Sequence, residues 1–340
     1  ALAARAPEAV RCDPLPEAET PQPARPPENT ADFVALPPPP YIAPALGLSS
    51  FSALVLGLSH EAAARDHDLA DDLDETETRT GPELDPDDIL RFPRGAEAGH
   101  CLHALLEQID YRDDRGWTEA SVDVLRQYPP AEAEDDRVLV PMLRRLLGDL
   151  LATDLAPALG PEVAPLRLSA VPPERRLTEM EFFLPVAGLD TGRIVQTLHD
   201  AGLPIGILRD RELRGHLRGF IDLVFEHDGR YFVLDWKSNH LGHRAEDYAP
   251  PRLEDAMHRH GYHLQMMLYL VALHRHLRGT LSGYDIHRHL GGALYLFVRG
   301  VRPSWIDPQG RPAGVHAARP DPRWIETLSD LLDGRPGDAR

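Results

Sequence analysis

Two aromatic and β-branched runs, Gly219 to Glu226 and Arg230 to Lys237, are joined by His227-Asp228-Gly229. An Asp-Gly turn between such runs is a strong hairpin signal, because its central positions must accept positive φ. A two-residue turn also fixes the register, so that His227 faces Arg230 and Asp222 falls directly opposite Asp235. Opposed residues of an antiparallel pair have Cβ atoms roughly 4.5–5.5 Å apart. Lys237, two positions beyond Asp235, points to that same face, and alternation adds Phe220, Val224 and Val233. Two carboxylates so placed repel, and burial among apolar neighbours is costly without a compensating cation. The spacing therefore predicts a site for a hard divalent ion such as Mg²⁺, which takes oxygen ligands and keeps waters for a phosphate. The competing reading is a solvent-facing hairpin whose carboxylates pair with Lys237 or Arg218. The apolar neighbours weigh against it.

Lys237 is the only lysine among the 36 basic residues. A lysine ammonium is a compact point charge that responds to burial, whereas arginine presents a planar fork that stays protonated. One lysine retained beside two carboxylates points to chemistry, the bland alternative being a single surviving surface lysine.

The chain here resembles a known family. Asp222 followed by Asp235-Trp236-Lys237 matches the signature of PD-(D/E)XK nucleases. Longer stretches resemble the C-terminal nuclease domain of RecB, the beta subunit of exodeoxyribonuclease V. These are Phe92 to His103, Glu179 to Pro185, Gly219 to Phe225, Leu234 to Gly242, Tyr262 to Tyr269 and Tyr295 to Gly300, in family order. The resemblance implies an α/β fold with a restriction-endonuclease-like core, a central mixed sheet flanked by helices. It implies metal ligation by Asp222, Asp235 and His103, with the backbone carbonyl of Trp236 as a further oxygen. Lys237 matches the lysine that positions the attacking water, and Glu181 the additional site acid, with Glu179 on the same strand face left open. Gln265 and Tyr269 match a pair expected near DNA. The implied partners are DNA, chiefly unwound single strands, a RecB helicase region, and RecC-like and RecD-like subunits.

Read without the resemblance, the extra residues say less. His103 lies among Leu102, Leu105, Leu106 and Ile109 at helical spacing, where a histidine is more often packed than ligating. Imidazole is an unusual partner for Mg²⁺ and leaves room for Mn²⁺. Gln265 and Tyr269 stand one helical turn apart and read equally as the polar edge of a core helix.

Composition excludes several classes. An iron–sulfur cluster needs four cysteines, and only Cys12 and Cys101 exist. Cys101 reads as a small buried hydrophobe, and two cysteines fit a reducing cytoplasm better than a disulfide framework. No long apolar span suggests a membrane segment. No Gly-x-x-x-x-Gly-Lys-Ser/Thr loop is possible, because the one lysine lies elsewhere, so no ATP site is expected in this chain. A net charge of −18 gives a polyanion little long-range attraction. DNA is then expected to be delivered by a partner, with Arg214, Arg218, Arg244 and Arg299 as a local channel. A restriction-type or junction-resolving endonuclease would be expected to carry its own basic surface, and an inactive scaffold would be expected to lose part of the Asp222, Asp235 and Lys237 set.

Along the chain, residues 1–48 carry Pro37 to Pro40 and read as an extended tether, with residues 49–340 as the nuclease domain. The chain reads as a fragment of a longer subunit or its stand-alone counterpart. Residues 61–90, crowded with Asp71, Asp72, Asp74, Glu75 and Glu77, read as an acidic surface insertion. Periodicity predicts helices near 97–110, 138–153, 192–202, 252–278 and 321–333. Strands are predicted near 178–185, 216–226, 230–237 and 292–299.

Overall fold

The computed structural model describes residues 47–49, 83–130, 135–203, 205 and 212–335. The tether, apart from Gly47 and Leu48, and most of the acidic insertion lie outside the described residues, as does Cys12.

The hairpin forms in the expected register. Asp228 and Gly229 both take positive φ, 51° and 74°, as a primed turn requires. The strand before it, β3, spans Glu212–His227 and the one after it, β4, spans Arg230–Lys237. Pairing runs from His227↔Arg230 to Leu223↔Leu234. Beyond that point β3 continues alone on this side until its Gly215–Leu217 segment meets a short parallel strand, β1, Gly47–Ser49. Its other side is lined by β2, Arg176–Asp190, antiparallel. β5, Leu290–Phe297, lies parallel to β4, and β6, Val315–Ala318, closes the far edge. The result is a six-stranded mixed sheet. Every residue of β5 is buried, which fits its near-continuous apolar sequence and helices on both faces.

The two faces are covered by different helices. On one lie α1 (Ala96–Gln108), α2 (Trp117–Gln127) and α3 (Asp136–Ala152), packed on Leu223, Phe225, Phe232, Leu234, Trp236, Leu294 and Leu296. On the other lie α4 (Thr191–Asp200), α5 (Pro250–Arg259), α6 (Tyr262–Thr280) and α7 (Pro322–Leu332), packed on Val224, Val233, Ala293, Tyr295 and Phe297. Each fully buried Leu, Ile, Val or Phe contributes roughly 1.5–3 kcal/mol, so both layers are held by many such terms. The architecture is the α/β core the sequence implied, a mixed sheet between helices.

Several elements differ from expectation. The helix anticipated over 252–278 is two helices, because Gly261 adopts a left-handed φ of 69° that only glycine reaches at low cost. The strand anticipated near 292–299, β5, ends at Phe297, and Val298–Gly300 form a 3₁₀ turn. β6 and α2 were not anticipated; the first is only four residues long, and the second buries only Ser121, Val124 and Leu125.

Candidate active site

The regular ladder stops one pair short of Asp222 and Asp235. In place of the next pair, the Asp222 carboxylate accepts the Trp236 backbone N–H at 2.8 Å through Oδ2. The strand also changes face at this point. Ile221 packs in the α6-side core, yet Leu223, of the same parity, packs in the α1-side core. Opposite the break, the β2–β3 register passes from Thr178↔Leu223 to Met180↔Ile221, and the intervening Glu179 has a φ of 51°. Asp222 is thus held where β3 twists, rather than sharing a regular face with Val224.

Helix α1 brings His103 to this point, with Nδ1 3.6 Å from Asp222 Oδ2. The approach is close: a Cβ on Gly99 would stand 3.0 Å from the Ser238 Oγ. Burial drives the Asp222 carboxyl well above its ordinary range. The Trp236 N–H and Lys237 oppose that shift, whereas Glu179 and Glu107 reinforce it. Glu107 was not singled out from the sequence. Its spacing of four from His103, on one helical face, is the signal by which the sequence could have revealed it.

Asp235 and Lys237 extend from β4 on the α6 side and are 3% and 2% exposed. The Lys237 Nζ lies 2.8 Å from Asp235 Oδ2 and 3.8 Å from the centre of the Tyr262 ring. Trp236 buries its indole in the opposite core. The hairpin therefore delivers Asp235 and Lys237 to one face, while Asp222, set off the regular ladder, bonds the Trp236 N–H instead of facing Asp235 across it.

The other expected residues fall in different places. Glu181 is exposed and bonded to Arg218 at 2.6 Å, and it is Glu179 whose charge is felt at Asp222. Gln265 and Tyr269 are buried, at 0% and 1% exposure. Tyr295 donates to Gln265 Oε1 at 3.1 Å, and Gln265 Nε2 donates to the Tyr269 hydroxyl at 3.1 Å. Through Tyr295, whose ring centre is 5.5 Å from the Lys237 Nζ, this pair stands in the wall behind the lysine. Arg299, anticipated in a surface channel, is 2% exposed and donates to the carbonyls of Ser238, Ile89, Phe92 and Pro93. Arg244 is exposed; the Arg214 side chain lies outside the described residues. Burial raises the Cys101 thiol to about 12, which leaves it without thiolate character at neutral pH.

Among the described residues no three His, Cys, Asp or Glu side chains are already grouped as a metal cage. The donor chemistry nevertheless fits a divalent cation. Asp222 is a half-buried carboxylate whose charge is opposed by two further acids, and a cation offsets that opposition by favouring the ionised form.

The sheet, the split hairpin and its two carboxylates with a lysine define a nuclease, and the chain belongs to the PD-(D/E)XK nuclease superfamily, whose model matches residues 78–335. Among curated proteins it is similar to the RecBCD enzyme subunit RecB of Escherichia coli, 35% identical over 252 residues, 72% of this chain and 20% of that protein. RecB of Mycobacterium tuberculosis is 37% identical over 269 residues, 72% of this chain and 24% of that protein. RecB of Mycolicibacterium smegmatis is 35% identical over 305 residues, 80% of this chain and 27% of that protein. The chain thus spans about a quarter or less of the length of these relatives. No helix among the described residues is long and apolar enough to cross a membrane.

Proposed function

We propose that the chain is a metal-dependent DNA nuclease of exodeoxyribonuclease V type, acting on single strands that a RecBCD-like helicase assembly unwinds at double-strand breaks. The observation that carries this reading is the buried Asp235 and Lys237 pair beside the half-buried Asp222 at the split end of the hairpin. A phosphodiester repels nucleophiles through its anionic oxygens, so hydrolysis needs cations on those oxygens and a water held in line. Asp222 and Asp235 would hold Mg²⁺, or Mn²⁺ given the imidazole of His103, with the Trp236 carbonyl as a further oxygen. The ion, when bound, supplies Lewis-acid charge and lowers the pKa of water. Lys237, held by Asp235, orients the water and adds positive charge at the phosphate. Glu179 fits the additional acidic role better than Glu181, because its charge reaches Asp222 while Glu181 is engaged with Arg218. The −18 balance fits DNA delivered by RecC-like and RecD-like partners and the RecB helicase region in the cytoplasm, with little base preference.

The test is cleavage of labelled linear single-stranded DNA in Mg²⁺, in Mn²⁺ and in EDTA, for the wild-type chain and for Asp235→Ala and Lys237→Arg. Metal-dependent degradation lost in both variants is the expected result. Cleavage that persists in EDTA, or in Asp235→Ala, overturns the assignment. Activity that appears only when partner subunits are added reassigns the chain to a partner-dependent module.

A further inference from the structure

The one lysine is enclosed by aromatic rings as well as by a carboxylate. Its Nζ lies 3.8 Å from the Tyr262 ring centre and 5.5 Å from that of Tyr295, both within the roughly 6 Å over which a ring face attracts a cation. The two rings stand 6.1 Å apart at 34°, and Tyr262 and Tyr295 are 5% and 0% exposed. Each ring has its own support. The Tyr262 ring stacks on His260 at 5.0 Å and 18°, and its hydroxyl reaches Asn239 Oδ1 at 3.4 Å. The Tyr295 hydroxyl is anchored through Gln265 to Tyr269. The rings also come from separate elements. Tyr295 pairs with Asp235 across the β4–β5 ladder, whereas Tyr262 is the first residue of α6, placed there by the left-handed turn at Gly261.

We infer that Tyr262 and Tyr295 are positioning residues that cage the Lys237 ammonium at the site, with the Gln265–Tyr269 hydrogen bond as the brace behind the cage. This rests on the nuclease reading above for its catalytic consequence, but not for its geometry. A long flexible lysine stem has many rotamers, and a single contact with Asp235 would leave the ammonium free to swing. Two ring faces and one carboxylate close on a compact charge from three elements.

Because the chain contains one lysine, growth on ¹³C-labelled lysine gives a protein with a single lysine side-chain spin system. Ring currents from Tyr262 should displace the Lys237 Cε protons upfield of free lysine. The full chain would be compared with Tyr262→Phe, which keeps the ring, and with Tyr262→Leu and Tyr262→Met, which remove it. The Phe variant should retain the displaced signal and near wild-type kcat. The Leu and Met variants should lose the displacement, with kcat on labelled single-stranded DNA falling roughly 3- to 30-fold at unchanged KM. An undisplaced wild-type signal, or a displacement that survives loss of the ring, overturns the cage. If only one of Leu and Met folds, that one decides. A displaced, Tyr262-dependent signal in a protein that cleaves no DNA keeps the cage and overturns the nuclease reading instead.

Discussion

Replacing Arg299 with Met removes the guanidinium that ties the start of the α1 arm to the end of the catalytic hairpin. Nε donates to Ser238 O at 2.8 Å, Nη1 to Ile89 O and Phe92 O at 3.2 and 2.9 Å, and Nη2 to Pro93 O at 2.7 Å. The Ile89 carbonyl also accepts the Phe92 N–H at 3.0 Å, so it keeps a partner after the change. Three carbonyls lose their charged donor outright. At about 1–2 kcal/mol for each acceptor left short, the loss comes to roughly 3–6 kcal/mol, a large part of the roughly 5–15 kcal/mol of an ordinary domain. Methionine fills much of the same volume, so little of this loss is a cavity. With an m value of about 3 kcal/mol/M, the urea midpoint should fall by roughly 1 M or more. Arg299→Lys should lie between, since an ammonium has three donors and no fork. An unchanged midpoint together with weakened DNA binding would refute the reasoning and return Arg299 to a surface channel.

Two further outcomes follow from buried titratable groups. Arg302→Leu strands Asp88, which is 4% exposed and bonded to Arg302 at 2.8 and 3.2 Å, and should cost about 3–5 kcal/mol at pH 7. Burial pushes the Asp88 carboxyl up, but Arg302 and the Leu90 N–H outweigh it and hold it below its usual value. Its stabilisation is present above the unfolded value and lost as pH falls through the folded one. The difference between variant and wild type in urea titrations should therefore shrink below about pH 4, and a gap that widens there contradicts the pairing. Burial, aided by Arg278 and Arg275, lowers His274 to about 4, and the ring is bonded to the Tyr284 hydroxyl at 3.0 Å. The unfolded chain then takes up a proton near pH 6.5 that the folded one refuses, so stability is lost as pH falls from about 6.5 to 4, by about 3 kcal/mol from this group. His274→Gln should flatten that part of the pH–stability curve; an unaltered slope would assign the acid sensitivity elsewhere.

What the sequence settled is local. Asp228-Gly229 accepts positive φ at both positions, which fixed the hairpin and its register from His227↔Arg230 to Leu223↔Leu234. The period of apolar residues marked α1 and α3, and the family blocks pointed to the sheet between helices. The tertiary structure decided what depends on contacts between distant segments. Packing against both helical layers turns β3 over between Ile221 and Leu223, which no two-residue alternation encodes. That turn, with the positive φ of Glu179, brings Glu179 and Glu107 to bear on Asp222, residues 43 and 115 positions upstream. Arg299 and Gln265 look like surface polar residues by type, yet carbonyls and hydroxyls from far along the chain satisfy them in the interior. Burial of a polar group depends on partners that exist only once the chain has folded, so the sequence offered the candidate groups while packing chose their supports.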